Sequence, residues 1–355
     1  MIKSVRVKNF KSFDDVTFEL HKNNIIVGPN GVGKSNFIDI FLFLKTFIRP
    51  EAFPPYPFIH WGGYKNLVYM NDDNANIEIE VNADNYYYRL VVNGKEGLKV
   101  LEEDLKYHNI EIKRKYNEVK IGDQSSNIDI SSSIFHIQRV GPIVLSPIIF
   151  PSSELINFMS IFGNDIVVLR FNPYIALSPV PYVFPSTLRV DGYGLPKVLF
   201  SQLPKPIQDF LSDLNMSLKI EISLEGNFIM YLLENVEGRA IQLHPSSIPS
   251  GIIKMLAILS GIFILKPSII LIDEIENSLH LNFLERLIDI FNYTDSQVVL
   301  TTHSPMVIDL VDPSDVIILD KDKGRTIVKR IENVNKLKEY LKEKGLLLSE
   351  YLYYS

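Results

Sequence analysis

In Gly28-Pro29-Asn30-Gly31-Val32-Gly33-Lys34-Ser35, glycines frame a lysine that is followed by a hydroxyl. The spacing Gly-x-x-x-x-Gly-Lys-Ser/Thr lets backbone N–H groups turn inward around phosphate oxygens, with the positive end of the following helix behind them. On this reading Asn30, Gly31, Val32, Gly33, Lys34, Ser35 and Asn36 cradle ATP. Lys34 neutralises the β/γ-phosphates, a catalytic role, and the Ser35 hydroxyl ligates Mg2+. Far along the chain, Ile269-Ile270-Leu271-Ile272 runs into the paired carboxylates Asp273-Glu274. In an open α/β sheet the carboxyl end of a buried strand is where ligands bind. Asp273 is placed there to hold the metal, and Glu274 to take the proton of a water attacking the γ-phosphate. Taken alone, an Asp-Glu pair after a strand is more often a solvated loop start. His303 follows the apolar Val298-Val299-Leu300 within Thr301-Thr302-His303-Ser304-Pro305. A lone loop histidine is usually structural, but at the end of a neighbouring strand it is expected to reach the γ-phosphate and orient the water.

These residues need a parallel sheet to present them. Asn24 to Val27 reads as a strand buried on both faces, and the pattern turns helical from Asn36, with Phe37, Ile38, Phe41 and Leu44 on one face. Pro50, Pro54, Pro55 and Pro57 stop that helix. After a helix from Gly251 to Ile264 come a strand at Ile269–Ile272, a helix at Leu279–Phe291, a strand at Val298–Thr301 and a helix from Pro305. Such alternation is the signature of a parallel sheet. Strands are also expected at 4–9 and 16–20 around a turn at Asp14-Asp15, and an antiparallel meander from Ile77 to Lys120 with one face toward solvent. Between 131 and 249, recurrent prolines separate short helical pieces such as Ser153–Phe162 and Ile207–Leu214, which reads as an inserted helix-and-loop lobe. Asn335–Lys344 reads as an amphipathic surface helix. The expected divisions are 1–130, 131–249 and 250–355.

Composition narrows the function classes. With 355 residues, 46% hydrophobic and 22% charged, the chain is long enough for a sizeable core and is not of disordered type. Lys+Arg minus Asp+Glu is 36 − 42 = −6, which excludes attachment to polyanions by bulk charge. The local basic run Lys106-Tyr107-His108, Lys113-Arg114-Lys115-Tyr116 and Lys120 leaves direct DNA contact open, although Glu102, Glu103, Asp104, Glu111 and Glu118 dilute it. On a meander such a run is usually a solvated face. The absence of cysteine excludes disulfides, thiolate metal sites and thiol catalysis, and fits a reducing cytoplasm or simply a hot one. Nothing in Met1 to Lys8 resembles a signal peptide, and the most apolar stretch, Ile252–Ile272, is interrupted by Lys254, Lys266 and Pro267. A cytoplasmic protein without membrane segments is expected.

The phosphate loop, the segment Leu271 to His280 and Thr301 to Pro305 resemble the ABC-type ATPase head of RecF, SMC and OLD-like proteins. The likeness is strongest to soluble AAA-family ATPases akin to the ATPase half of OLD nucleases. Val5 to Phe13 resembles the start of that group, so Lys11 and Ser12 are implied to lie near adenine and ribose. The resemblance covers roughly residues 1–40 and 250–350, with Asp191-Gly192-Tyr193-Gly194-Leu195 as a weaker fragment between them. It implies an α/β P-loop NTPase of ABC-head type: a mixed sheet with an antiparallel meander and an inserted helical lobe.

The resemblance also implies a head-to-tail homodimer in which each nucleotide is clamped between one subunit's phosphate loop and the other's signature helix. The candidate signature is Ile248-Pro249-Ser250-Gly251-Ile252-Ile253-Lys254, where Ser250 and Gly251 would meet the partner's γ-phosphate. Pro249 stands where a serine is usual, and the segment also reads as a turn that merely starts a core helix. The family calls for a Mg2+-sensing glutamine, for which Gln138 is the nearest candidate in chain order; it reads equally as a surface residue. The implied activity is ATP hydrolysis that drives a switch acting on DNA or on a separate effector protein, in DNA maintenance or defence. No nuclease domain is recognisable after the ATPase. A nucleotide-gated binding module with little hydrolysis, and the ATP-binding subunit of a transporter, are the alternatives.

Overall fold

The computed structural model describes residues 1–49, 56–136, 152–163 and 165–354. In chain order the first elements are β1 (Ile2–Phe10), β2 (Phe13–Glu19), β3 (Asn23–Val27), α1 (Lys34–Ile48), β4 (Ile77–Ala83), β5 (Tyr86–Asn93), β6 (Lys99–Tyr107), β7 (Ile110–Lys115), β8 (Glu118–Ile121), β9 (Gln124–Asn127) and α2 (Ser152–Gly163). There follow β10 (Ile166–Leu169), α3 (Pro173–Ala176), β11 (Val180–Pro181), α4 (Leu195–Ser201), α5 (Lys205–Asp213), β12 (Met216–Ile222), β13 (Asn227–Val236), β14 (Arg239–Leu243) and α6 (Ser250–Ser260). The last are β15 (Ile269–Ile272), α7 (Leu281–Tyr293), β16 (Gln297–Thr302), α8 (Pro305–Leu310), β17 (Val316–Asp322), β18 (Arg325–Arg330), α9 (Val334–Lys344) and α10 (Leu348–Tyr354). Two compact units result, Met1–Gly163 with Asp312–Tyr351, and Asn164–Val311 with Leu352–Ser355, so one break falls inside the expected 131–249 segment and two inside 250–355.

The first unit holds an antiparallel sheet in the order β2-β1-β4-β5-β6-β7-β8-β9. Its alternation is as the period-2 pattern dictates: Ile77, Ile79, Val81, Tyr88, Leu90 and Val92 are buried, while on the other face Arg89 bridges Glu78 and Glu102. The first hairpin turns at Lys11-Ser12, not at Asp14-Asp15. Phe10 pairs with Phe13, both rings fully buried, and Lys11 takes the left-handed φ of 50° that closes so tight a turn. The two aspartates lie within β2 on opposite faces: Asp15 meets Arg6 at 2.8 Å and Asp14 lies 3.4 Å from Arg325. Residues 134–136 form a turn, in which the Ser133 N–H donates to His136 Nδ1 at 3.0 Å.

In α1, Phe37, Ile38, Phe41 and Leu44 are buried as expected, and Ile40, Phe43 and Phe47 join them, so the helix is enclosed on nearly every side. Phe37 and Phe43 meet Phe18 and Phe58 at ring separations of 4.5 and 5.9 Å. Burial of such rings, roughly 1.5–3 kcal/mol each, fixes the helix that the phosphate loop feeds. Also in this unit, β3 runs parallel to β17, and β17 antiparallel to β18.

In the second unit β10, β15 and β16 are parallel, with Leu169 level with Ile272 and Ile272 level with Leu300. All four residues of β15 are buried. Helices α3, α4 and α5 pack against α6. A small antiparallel sheet, in which β13 pairs with β11, β12 and β14, accompanies these short helices. Its buried Phe228, Met230 and Leu232 alternate at strand spacing, a pattern hidden in the sequence among turns and prolines.

Candidate functional site

The phosphate loop lies in the first unit, between β3 and α1. Gly28 has φ 148°, and a Cβ there would lie 2.4 Å from the Leu319 carbonyl oxygen. Gly33, at φ 117°, is the N-cap of α1, and a Cβ on it would meet Ser12 Oγ at 2.7 Å. Glycine is therefore required at both positions. Lys34 opens α1 and is buried, its ammonium donating to the carbonyls of Gly28 at 2.7 Å and Pro29 at 3.0 Å. Asn30 and Gly31 are exposed, Val32 is buried, and Ser35 is half-buried in the first turn of the helix.

Ser12 closes this loop from the hairpin. Its Oγ accepts from Asn36 Nδ2 at 2.8 Å and lies 2.7 Å from the Thr326 hydroxyl, which donates to the Val32 carbonyl at 2.6 Å. Lys11 is tied to the buried Asp39 carboxylate of α1. The sequence pattern pointed to neither Thr326 nor Asp39. Thr326 is separated from Ser12 by 314 residues. An aspartate among the buried aromatics of α1 is, however, a readable sign that a cation must come to meet it.

In the second unit, the carboxyl ends of the three parallel strands carry Arg170, Asp273-Glu274 and Thr301-Thr302-His303. Asp273 is buried. Its Oδ1 accepts from the Thr301 hydroxyl at 2.5 Å and its Oδ2 from Arg170 Nε at 2.9 Å. The Glu274 N–H donates to the same Thr301 oxygen at 2.8 Å, so one hydroxyl sets both carboxylate residues. Glu274 sits at φ 49° and is exposed, with Asn277 Nδ2 donating to its Oε2 at 2.5 Å. Left-handed backbone at a non-glycine residue is strain that concentrates at functional sites.

His303 is held at three points. The Glu276 carboxylate accepts from its backbone N–H at 3.0 Å and lies 2.8 Å from its Nδ1, and the Tyr353 hydroxyl donates to its carbonyl at 2.8 Å. The ring is half exposed, at 47%. With Nδ1 facing a carboxylate, Nε2 is the nitrogen presented for other work.

The candidate signature forms the start of α6. Pro249 is the N-cap and brings no side-chain hydrogen bond; Ser250 and Gly251 open the helix. A Cβ on Gly251 would lie 2.5 Å from the Ser278 carbonyl oxygen, so the helix start and the loop after Glu274 touch backbone to backbone. Lys254, one turn on, is buried and donates to the carbonyls of Glu274 at 2.8 Å and Asn277 at 2.9 Å. Burial pushes its ammonium down to about 8, against the pull of the nearby Glu276, Glu274 and Asp273 carboxylates.

Asp273, Glu274 and His303 are thus brought together in one unit, and Lys34, Ser35, Asn36, Ser12 and Lys11 in the other. Gln138 lies outside the described residues. Much of the basic run is paired within the meander: Lys106 and Lys113 share Glu111, Lys120 pairs with Glu118, and Arg114 is buried against Glu103. Among the described residues no group of three or more histidine, aspartate or glutamate side chains could hold a metal by itself, and no helix is long and apolar enough to cross a membrane.

Residues 24–309 match the protein family described as "AAA domain, putative AbiEii toxin, Type IV TA system". The chain is 24% identical over 350 residues to a Helicobacter pylori protein named ATP/GTP phosphatase, an alignment covering 91% of this chain and 90% of that one. It is 29% identical over 182 residues to the chromosome partition protein Smc of Methanocaldococcus jannaschii, covering 44% of this chain and 15% of that protein. Among solved structures, an Smc head bound to the C-terminal winged-helix domain of ScpA superposes with a TM-score of 0.51 at 15% identity, covering 94% of this chain and 99% of that one. An Smc head with an extended coiled coil, bound to the C-terminal domain of ScpA from Pyrococcus furiosus, gives 0.52 at 13%, covering 96% and 99%. These two likenesses show the fold, a P-loop NTPase of the ABC-type SMC head. Because the family match spans most of its length, the chain belongs to this AAA family and is an ATPase.

Proposed function

We propose that this ATPase works on Mg-ATP, dimerises head to tail and uses hydrolysis to switch a separate effector protein or DNA. In this reading Lys34 and the backbone of residues 30–36 carry the phosphates, and Ser35 and Asp273 hold magnesium. Glu274 receives the proton of the attacking water, and His303 offers Nε2 to the γ-phosphate. Magnesium, when bound, would neutralise charge on the phosphate oxygens. A hydroxyl and a carboxylate are the hard oxygen donors that it takes beside phosphate and water. Asp273 is already paired with a cation, Arg170, so positive charge is favoured at that carboxylate.

The observation that carries the proposal is the gathering of Asp273, Glu274, Thr301 and His303 at the ends of β15 and β16, with one hydroxyl fixing the first two. Dimerisation is supported by the start of α6, where no side chain caps the helix. A separate effector is supported by the ScpA domains bound to heads of the same fold. The setting proposed is cytoplasmic, in DNA maintenance or defence. Light scattering of Glu274→Gln with Mg-ATP tests the dimer: a doubled mass is expected with ATP and not with ADP, and a monomer under both conditions would refute it.

Pro249 at the N-cap favours a second reading, a nucleotide-gated module with slow turnover, because it cannot offer a hydroxyl to a γ-phosphate. Steady-state phosphate release separates the two.

A further inference from the structure

Arg170 is more than a sign that Asp273 favours positive charge; the same pair also sets up a competition. Its side chain is 5% exposed and that of Arg170 43%, with Arg170 Nε 2.9 Å from Oδ2. A carboxylate so buried needs a compensating cation. The strand register supplies one: Leu169 is level with Ile272, so the residue after each strand meets its neighbour. The backbone behind Arg170 is pinned. Its N–H donates to the Val190 carbonyl at 2.7 Å, and the Asn172 N–H to the Asp191 carbonyl at 3.0 Å. The turn that receives them is Asp191-Gly192-Tyr193-Gly194; a Cβ on Gly192 would press on the Phe171 ring at 3.1 Å, and one on Gly194 on the Thr187 carbonyl at 2.2 Å. A fixed backbone thus carries a long, half-exposed cationic side chain.

We propose that Arg170 is the resident counter-ion of Asp273, giving up Oδ2 when the magnesium of bound nucleotide arrives, and so sets how much magnesium the chain requires. The inference rests on the assignment of Asp273 as the magnesium residue. Thr301 keeps Oδ1 throughout, so the exchange takes place at Oδ2, where a guanidinium and a divalent cation cannot sit together. Arg170 is a positioning residue: it acts through Asp273 and forms or breaks no covalent bond.

The test uses the full chain and a fluorescent ATP analogue, with magnesium titrated at fixed nucleotide. Removing the competing cation in Arg170→Ala, or in Arg170→Gln should the alanine variant fold poorly, is expected to lower the half-saturating magnesium concentration about three- to tenfold, the scale of a partly exposed charge-assisted pair. Arg170→Lys, which keeps the charge, should stay within about twofold of wild type. Melting in EDTA should be lower for the neutral variants, with the gap closing in Mg-ATP. A merely structural arginine would lower melting and leave the magnesium midpoint where it was; an unchanged or raised midpoint in a variant that binds nucleotide overturns the proposal. An Asp273→Asn variant whose magnesium midpoint equals that of wild type would instead overturn the site assignment beneath it.

Discussion

The Lys254 ammonium donates to the Glu274 carbonyl oxygen at 2.8 Å, tying the helix that begins at the candidate signature to the residue assigned to activate water. Its second bond, to Asn277, reaches the residue whose amide holds the Glu274 side chain. Any shift of α6 is therefore felt at Glu274 through two hydrogen bonds.

The first prediction concerns the charge on Lys254. Its folded-state value of about 8 lies below the usual 10.5, so between those values the unfolded chain holds a proton that the folded chain has released. Stability should therefore rise with pH across about 8 to 10.5, by roughly 3 kcal/mol from this group. Chemical denaturation of wild type and Lys254→Met over that range checks it: the difference between their slopes should carry the effect, and equal slopes would remove Lys254 as its source.

Thr301 is the second target. Thr301→Val keeps the shape and removes the hydroxyl shared by Asp273 and Glu274, so the buried Asp273 Oδ1 and the Glu274 N–H each lose this hydrogen bond. A loss of about 1–3 kcal/mol is expected by urea unfolding. Hydrolysis should fall about ten- to hundredfold, the scale for removing a group that orients a metal-site carboxylate.

Gly251→Ala probes the contact between α6 and the loop after Glu274. An added methyl would stand 2.5 Å from the Ser278 carbonyl oxygen, which is backbone and cannot rotate away. Thermal melting should show a loss of about 1–3 kcal/mol. An alanine variant as stable as wild type would show that the helix start is free to move.

Much of this site was legible because Asp273-Glu274 ends an apolar run and His303 follows another by two threonines. Ile269–Ile272 before Asp273 and Val298–Leu300 before His303 could only be buried strands, and parallel strands of this kind present their C-terminal neighbours along one edge of the sheet. The phosphate loop was legible from spacing alone. Arg170 was not, because 103 residues separate it from Asp273 and only the pairing of β10 with β15 makes them neighbours. In the sequence Lys254 is a charge that interrupts an apolar stretch and closes the candidate signature; its need for carbonyl partners comes from burial, which the sequence pattern does not quantify. Asp14-Asp15 resembled a turn because aspartate favours turns, yet the burial of Phe10 and Phe13, which pair across the hairpin, outweighed that preference and moved the turn to Lys11-Ser12. Lys106 and Lys113 resembled a patch for phosphates until the register of β6 and β7 set Glu111 between them.

Phosphate release from Mg-ATP by wild type, Lys34→Ala and Glu274→Gln, with nucleotide affinity measured alongside, tests the account most directly. Wild type should turn over, Lys34→Ala should lose nucleotide, and Glu274→Gln should bind as tightly as wild type while releasing phosphate at least about 100-fold more slowly. A Glu274→Gln chain that hydrolyses ATP at the wild-type rate would contradict the assignment on which the mechanism depends.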